Sequence, residues 1–344
     1  MAHVIRAGIL LLALAGGVPG CPIAYVRGVA PAGFAGRRRV SAAPERARPV
    51  RLLAVGDIMV GSPGWAQRIR DHGPRDPFRK SRDLLAGADI TFGNVETPLS
   101  ARGAPTPGKS AESLRNRTNF IFRAPPSTAE GLAWAGFDVV SVANNHAMDF
   151  GGEALADTVR LLREARVLPV GGGKDLEEAA SAVELTRGGQ RFLFLAISDI
   201  LPALSVAGHR RPGVAPARRE GFARAMRRAL AAARKRADRV LVSVHWGKER
   251  QRSATPRQQQ LGRQLIEWGA DVVIGHHTHV LGTVEHYKRG IIHYSLGNFV
   301  GPLGKQANVG VWEVTFDPGK QPRERSLTRR WDGSPLPRPR KRRR

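Results

Sequence analysis

Between Arg51 and Phe316 the chain alternates short, continuously apolar runs with longer amphipathic stretches. "RLLAV" (51–55) runs into Gly56-Asp57, and "ADITFGN" (88–94) repeats the pattern of a strand followed by a glycine turn. "FDVVSVANN" (137–145) does so again, and "GEALADTVRLLREAR" (152–166) after it has helical spacing. Further on come "RFLFLAIS" (191–198), a long helix expected near 217–236, "RVLVSVHWG" (239–247), a helix near 256–268, and "ADVVIGHH" (270–277). Strands that are apolar without interruption, alternating with helices, predict an α/β domain whose strands are covered on both faces. "GTVEHY", "GIIHYSLGNFV" and "VGVWEVTFD" are expected as antiparallel strands on one side. Residues 22–50, rich in Ala, Gly, Pro and Arg, predict a linker, and residues 318–344, basic and Pro-rich, predict a loose tail. The domain is therefore expected over 51–317.

Polar residues collect where these strands end. Asp57, Asn94 with Glu96, Asn144-Asn145-His146 with Asp149, His245, and His276/His277/His279 each follow a predicted strand at its carboxyl end. That edge of an α/β sheet is where ligands bind. Three of only ten histidines fall within "GHHTH". Taken alone, that cluster reads as a metal site, a site for something acidic, or an ordinary turn. Five strand ends carrying Asp, Glu, Asn or His favour a divalent metal, because hard and borderline cations take carboxylate, imidazole and amide-oxygen ligands. Manganese, iron, zinc and magnesium all match this donor set. A pair of such cations makes a hydrolytic centre.

Composition adds a partner class. The net charge is +26, and 46 of the 55 basic residues are arginine. Such a balance suits a polyanion or an anionic surface, or else reflects arginine spread over a solvated exterior. At the N-terminus, Arg6 precedes an apolar run from Ala7 to Val18, too short for a membrane span and fitting the h-region of a signal peptide. The sole cysteine, Cys21, comes immediately after Val18-Pro19-Gly20 and resembles a lipoprotein lipidation site, with plain secretion and an uncleaved anchor as alternatives. Each of the three places the globular part outside the cytoplasm, and one cysteine forms no internal disulfide.

Six segments in order, "AVGDIMVG", "FGNVETPLS", "SVANNHAMDFG", "VHWGKER", "IGHHTHVLG" and "YSLGNFVG", resemble the motif series of the CapA family. These are capsule or poly-γ-glutamate biosynthesis proteins, also called PgsA, with a calcineurin-like metallophosphoesterase fold. The resemblance implies a four-layer α/β/β/α sandwich. It also implies metal ligands at Asp57, Glu96 (bridging), Asn145, His245, His277 and His279, with His276 as a surplus neighbour. His146 would be the general acid or transition-state donor, oriented by Asp149. In the superfamily the first motif is Asp-x-His; here Met59 occupies the histidine position, so one metal site lacks a ligand. Glu249, four residues after His245, is the expected substitute.

Other signals carry less. "GAPTPGKS" (103–110) satisfies a P-loop pattern, but Pro105 and Pro107 remove donors from the phosphate cradle and no strand leads directly into it. "VGGGKD" (170–175) reads as a turn, and the sequon at Asn116 is uninformative in a bacterial lipoprotein. The terminal "RKRRR" lacks interleaved aromatics, and with a leader upstream nucleic acid is not expected. Two functions remain open. One is a metal-dependent hydrolase of an envelope polymer or phosphoester. The other is a non-catalytic component of capsule assembly or export that holds a polyanion such as poly-γ-glutamate, alongside other capsule-synthesis subunits and tethered to the membrane at its N-terminus.

Overall fold

The computed structural model of the chain describes residues 25–26, 46–107, 120–301 and 308–330. Sixteen strands fall among them: β1 (Tyr25–Val26), β2 (Val50–Ile58), β3 (Ile90–Val95), β4 (Val139–Ser141), β5 (Leu168–Val170), β6 (Gly172–Gly173), β7 (Ala182–Arg187), β8 (Gln190–Ser198), β9 (Gly213–Val214), β10 (Arg239–His245), β11 (Val272–His276), β12 (Val284–Tyr287), β13 (Gly290–His293), β14 (Asn298–Val300), β15 (Asn308–Phe316) and β16 (Arg323–Arg330). One sheet has the order β16-β15-β2-β3-β4-β5, with β14 paired to β2. The other has the order β1-β7-β8-β10-β11-β13-β12, and β6 pairs separately with β9. Inside the sheets β2–β5 run parallel to one another, as do β8, β10, β11 and β13.

Alternation along the strands makes the layers. Phe192, Phe194, Leu241 and Ile274 join the core of the β2 sheet, whereas their neighbours Leu193, Leu195, Val240 and Val242 join the core under two helices. Successive side chains point to opposite faces of a strand, so a continuously apolar strand is one buried on both sides. Phe92 and Phe194, one from each sheet, stack between them with ring centroids 5.9 Å apart. Beyond the β2 sheet, helices α1 (Pro63–His72), α2 (Arg82–Ala86), α3 (Thr128–Ala135) and α4 (Gly151–Glu164) contribute Ile69, Leu85, Leu132 and Leu155 to its core. After the short α5 (Leu176–Ala179), helices α6 (Phe222–Arg234) and α7 (Pro256–Trp268) cover the second sheet with Met226, Leu230, Leu261 and Leu265. The result is the expected four-layer α/β/β/α sandwich. The start of α7 follows from local chemistry: Pro256 at the first helical position, and a capping box in which Thr255 and Gln258 satisfy each other's free backbone N–H groups.

Three expectations need correction. The C-terminal strands do not gather on one side: β12 and β13 extend the second sheet, while β14 and β15 join the first. The chain crosses between the sheets after His293, a step that apolar patterning cannot register. The tail is not loose from its start, because β16 pairs antiparallel with β15 over eight residues. Among the described residues it has one strand neighbour, and charged residues such as Arg323, Glu324 and Arg325 suit a sheet edge, a composition that resembles a solvated tail. Within the expected linker, Tyr25–Val26 runs parallel beside β7 and Val50 already belongs to β2. The leader, Cys21, the Asn116 sequon and the terminal basic run lie outside the described residues. Of the P-loop-like stretch, 103–107 is irregular chain, and Thr106 N–H donates to Asp149 O (3.0 Å).

The position of β14 matters for the site. A Cβ on Gly56 would lie 2.0 Å from Gly297 O, so only glycine lets the two backbones approach this closely. Asp57 N–H donates to Gly297 O (2.8 Å), and Asn298 pairs in register with Asp57.

Candidate metal centre

The carboxyl ends of β2, β3, β4, β10 and β11 converge where the two sheets meet. Asp57, Glu96, His245 and His277 are all buried there. Two groups of ligand atoms arise, each with its atoms within 4.8 Å of one another: Glu96, His245 and His277 in one, and Asp57, Glu96 and His279 in the other. Glu96 belongs to both. Asn145 joins the first, its Oδ1 lying 2.8 Å from His245 Nε2, while Glu96 Oε1 lies 3.4 Å from the same nitrogen.

Hydrogen bonds orient these groups. Asn94 Nδ2 donates to Asp57 Oδ1 (2.8 Å), and His277 N–H donates to Asp57 Oδ2 (3.2 Å). His276 Nδ1 lies 3.1 Å from Asp57 Oδ1, which makes the surplus histidine a support for the aspartate. His279 Nδ1 lies 3.2 Å from Asp57 Oδ2 and 2.8 Å from Asn298 Oδ1. Asn144 Nδ2 donates to Asn94 Oδ1 (3.1 Å) and Val95 O (2.8 Å), and Asn144 Oδ1 accepts from His146 N–H (3.1 Å). That chain of amides ties the β4 loop to the Glu96 loop. His146 Nδ1 lies 2.9 Å from Asp149 Oδ2, which also accepts from Phe122 N–H (2.7 Å), and the Phe122 ring packs 4.4 Å from the imidazole.

The residues fit divalent cations. Both Glu96 carboxylate oxygens and His277 Nδ1 are buried without a hydrogen-bond partner. A buried carboxylate without a partner costs several kcal/mol unless a proton or cation compensates it, about 3–5 in measured cases. Burial, then the neighbouring Asp57, push the Glu96 carboxyl well above the usual range. Burial would also raise Asp57, but His276 and His279 more than offset it and hold that carboxyl well below its ordinary value. Burial and His277 depress His245, and burial and His279 lower His277 to about 4. For His279 the burial effect is outweighed by Asp57 and Glu96, which raise it to about 10. The lowered His245 and His277 favour neutral imidazoles that can bind metal, whereas at Glu96 and His279 a cation competes with protons.

The histidine turn stores strain. His277 (φ 94°) and His279 (φ 58°) both have left-handed backbones, and Thr278 Oγ1 between them donates to Ser295 Oγ (2.8 Å). Such conformations cost on the order of 1–3 kcal/mol each and cluster at functional sites. His277→Ala and His277→Gly are expected to lose the same metal equivalent. In metal-free full-length protein, however, the glycine variant should be more stable by about 1 kcal/mol. Thermal unfolding of the two variants checks this; equal stability would mean the turn is unstrained.

The two remaining expectations fall differently. Glu249 is exposed and belongs to neither ligand group, although its charge acts on Glu96, His277 and His279. Met59 is buried, and its N–H donates to Val300 O (2.6 Å). Sequence reasoning gave Asn298 no role, although Gly297-Asn298, at the start of β14, repeats the Gly-Asn pair that Gly93-Asn94 forms at the end of β3. It also passed over His293, buried on β13 against Trp312 (centroids 5.1 Å apart) and lowered to about 3 by burial and then by His276.

Comparison with known proteins gives the family of the chain. The chain is 31% identical over 253 residues to a capsule biosynthesis protein CapA of Bacillus anthracis, covering 74% of this chain and 60% of that one. It is 32% identical over 252 residues to the PGA biosynthesis protein CapA of Bacillus subtilis, covering 73% and 63%. A probable polyglutamine synthesis accessory protein of Mycobacterium tuberculosis is 30% identical over 220 residues, covering 62% and 55%. The chain thus spans roughly three fifths of the Bacillus relatives' length. Residues 51–302 match the bacterial capsule synthesis protein PGA_cap family, of metallophosphoesterase-like fold, and the chain belongs to that family.

Proposed function

We propose that this chain is a capsule or poly-γ-glutamate biosynthesis protein whose centre hydrolyses a bond in an anionic envelope polymer or a phosphoester. One observation carries the reading: the buried, unpartnered Glu96 carboxylate shared by two groups of ligand atoms. Asn145, Glu96, His245 and His277 would hold one cation, and Asp57, Glu96 and His279 the other. Such cations, when bound, supply Lewis acidity and a nucleophile at neutral pH. The protein's own groups do the rest. Asp149 fixes His146 through Nδ1, leaving Nε2 to pass a proton to the leaving group, and the Phe122 ring screens that imidazole from water.

A basic lip suits an anionic substrate. Arg250 N–H donates to Thr278 O (2.7 Å), so exposed Lys248 and Arg250 lie beside the histidine turn. The relatives named for capsule, PGA and polyglutamine synthesis, together with the net charge of +26, support a polyanion such as poly-γ-glutamate. In this reading Cys21 carries a lipid that tethers the protein outside the cytoplasm beside other capsule-synthesis subunits; Cys21→Ser should then leave the membrane fraction. Among the described residues no helix is long and apolar enough to cross a membrane.

The deciding experiment loads the full chain with manganese or zinc and incubates it with poly-γ-glutamate and with a panel of phosphoesters. Metal-dependent shortening of the polymer, or release of phosphate, supports hydrolysis. Retention of polymer without cleavage under every metal supports the second reading, a polyanion-holding assembly component, which the same basic lip favours.

A further inference from the structure

We propose that Asn298 is a metal ligand, filling the coordination position that Met59 leaves without a histidine. The inference rests on the metal-centre reading above and concerns a residue with no role in it.

The two groups of ligand atoms share a design. In one, an imidazole nitrogen and a side-chain amide oxygen, His245 Nε2 and Asn145 Oδ1, lie 2.8 Å apart beside Glu96. In the other, His279 Nδ1 and Asn298 Oδ1 also lie 2.8 Å apart, and Asp57 Oδ2 lies 3.2 Å from the same nitrogen. Donor atoms bound to one cation at about 2.0–2.2 Å stand roughly 3.0–3.5 Å from each other, so this cluster is close to ligand spacing and a small relaxation completes it. Asn298 is buried, and its backbone is held beside Asp57: β14 is in register with Asp57, and Gly56 lets the Gly297 backbone approach closely. Met59 contributes no oxygen or nitrogen donor from its side chain, and Glu249 stays exposed. With Asn298 counted, the Asp57 group has four donor residues, Asp57, Glu96, His279 and Asn298. The His245 group likewise has four, Glu96, Asn145, His245 and His277. Carboxylate, amide oxygen and a single imidazole suit a hard or borderline cation such as Mn²⁺ rather than a thiophilic one.

The test is Mn²⁺ binding by the full-length protein, followed by metal analysis and by electron–nuclear double resonance of protein carrying ¹³C in its asparagine carboxamides. The parent should hold two equivalents. Asn298→Ala should hold one, with the second weakened at least about 100-fold, and should lose an asparagine-carbon coupling present in the parent. Asn298→Asp should keep two, because a carboxylate can replace the amide oxygen. Two equivalents of parental affinity in Asn298→Ala, or coupling spectra identical to the parent's, would overturn the assignment and leave Asn298 as an acceptor for the His279 N–H. If the parent itself binds no Mn²⁺, Zn²⁺ or Fe²⁺, the metal-centre reading falls first and Asn298 with it. A normal unfolding transition for Asn298→Ala, expected from retention of its first equivalent, separates ligand loss from misfolding.

Discussion

Glu96→Gln is expected to abolish tight binding of both cations, whereas replacing any histidine ligand should abolish only one. Glu96 is the residue common to both groups of ligand atoms, and neither of its oxygens has a hydrogen-bond partner. Metal analysis of the full chain checks this, and retention of even one tight equivalent would mean that Glu96 does not bridge. A second consequence concerns pH. In the metal-free protein the folded-state pKa of Glu96 is raised by burial and then by Asp57. An acid with a raised folded pKa contributes stability that is present below its unfolded value and is lost as pH rises through the folded one. His279, raised to about 10, acts in the same direction: its contribution is present below its unfolded value near 6.5 and disappears as pH climbs through about 10. Metal-free parent protein should therefore lose stability as pH rises from about 6.5 to about 10, the window set by His279. Glu96, whose contribution begins to fade above its ordinary value of 4.5, adds to the fall, so Glu96→Gln should show a shallower slope. Metal binding should strengthen over the same interval and release protons, because cation and proton compete for these groups. Calorimetry in buffers of different ionisation enthalpy reads that proton release directly.

His146→Ala is expected to lower hydrolysis by about 10²–10⁴-fold while metal content stays at the parental level. The imidazole sits outside both ligand groups, and its Nδ1 is committed to Asp149. Asp149→Asn should reproduce much of the loss. One oxygen, Oδ2, faces both His146 Nδ1 and Phe122 N–H, so an amide oxygen could accept the same two bonds but would bring no negative charge to hold the proton-carrying ring. The informative measurements are turnover against pH for both variants and polymer production in cells carrying them. Full activity of His146→Ala, in either assay, would remove the catalytic reading and leave polyanion binding.

Much of this site was legible along the chain because its grammar is local. A metal-type side chain directly after an apolar run identifies the carboxyl end of a buried strand, and that holds at Asp57, Glu96, Asn145, His245 and His277 without any knowledge of their neighbours. The start of α7 was equally local, resting on Thr255, Pro256 and Gln258. The edge strand β16 was missed because its stability comes from its partner β15, while its own composition resembles a solvated tail.

What only the tertiary structure decided is how the pieces share ligands. His276 meets Asp57 across 219 residues of sequence, and no periodicity encodes that contact. Glu96 is shared between two groups because both sheets bring their carboxyl edges to one place. Asn298 reaches Asp57 because Gly56 and Gly297 allow two backbones to touch. The sequence by itself therefore determined the kinds of donor and the strand ends that carry them. The number of groups they form, and the way the Met59 position is compensated, depend on strand register and on the packing of one sheet against the other.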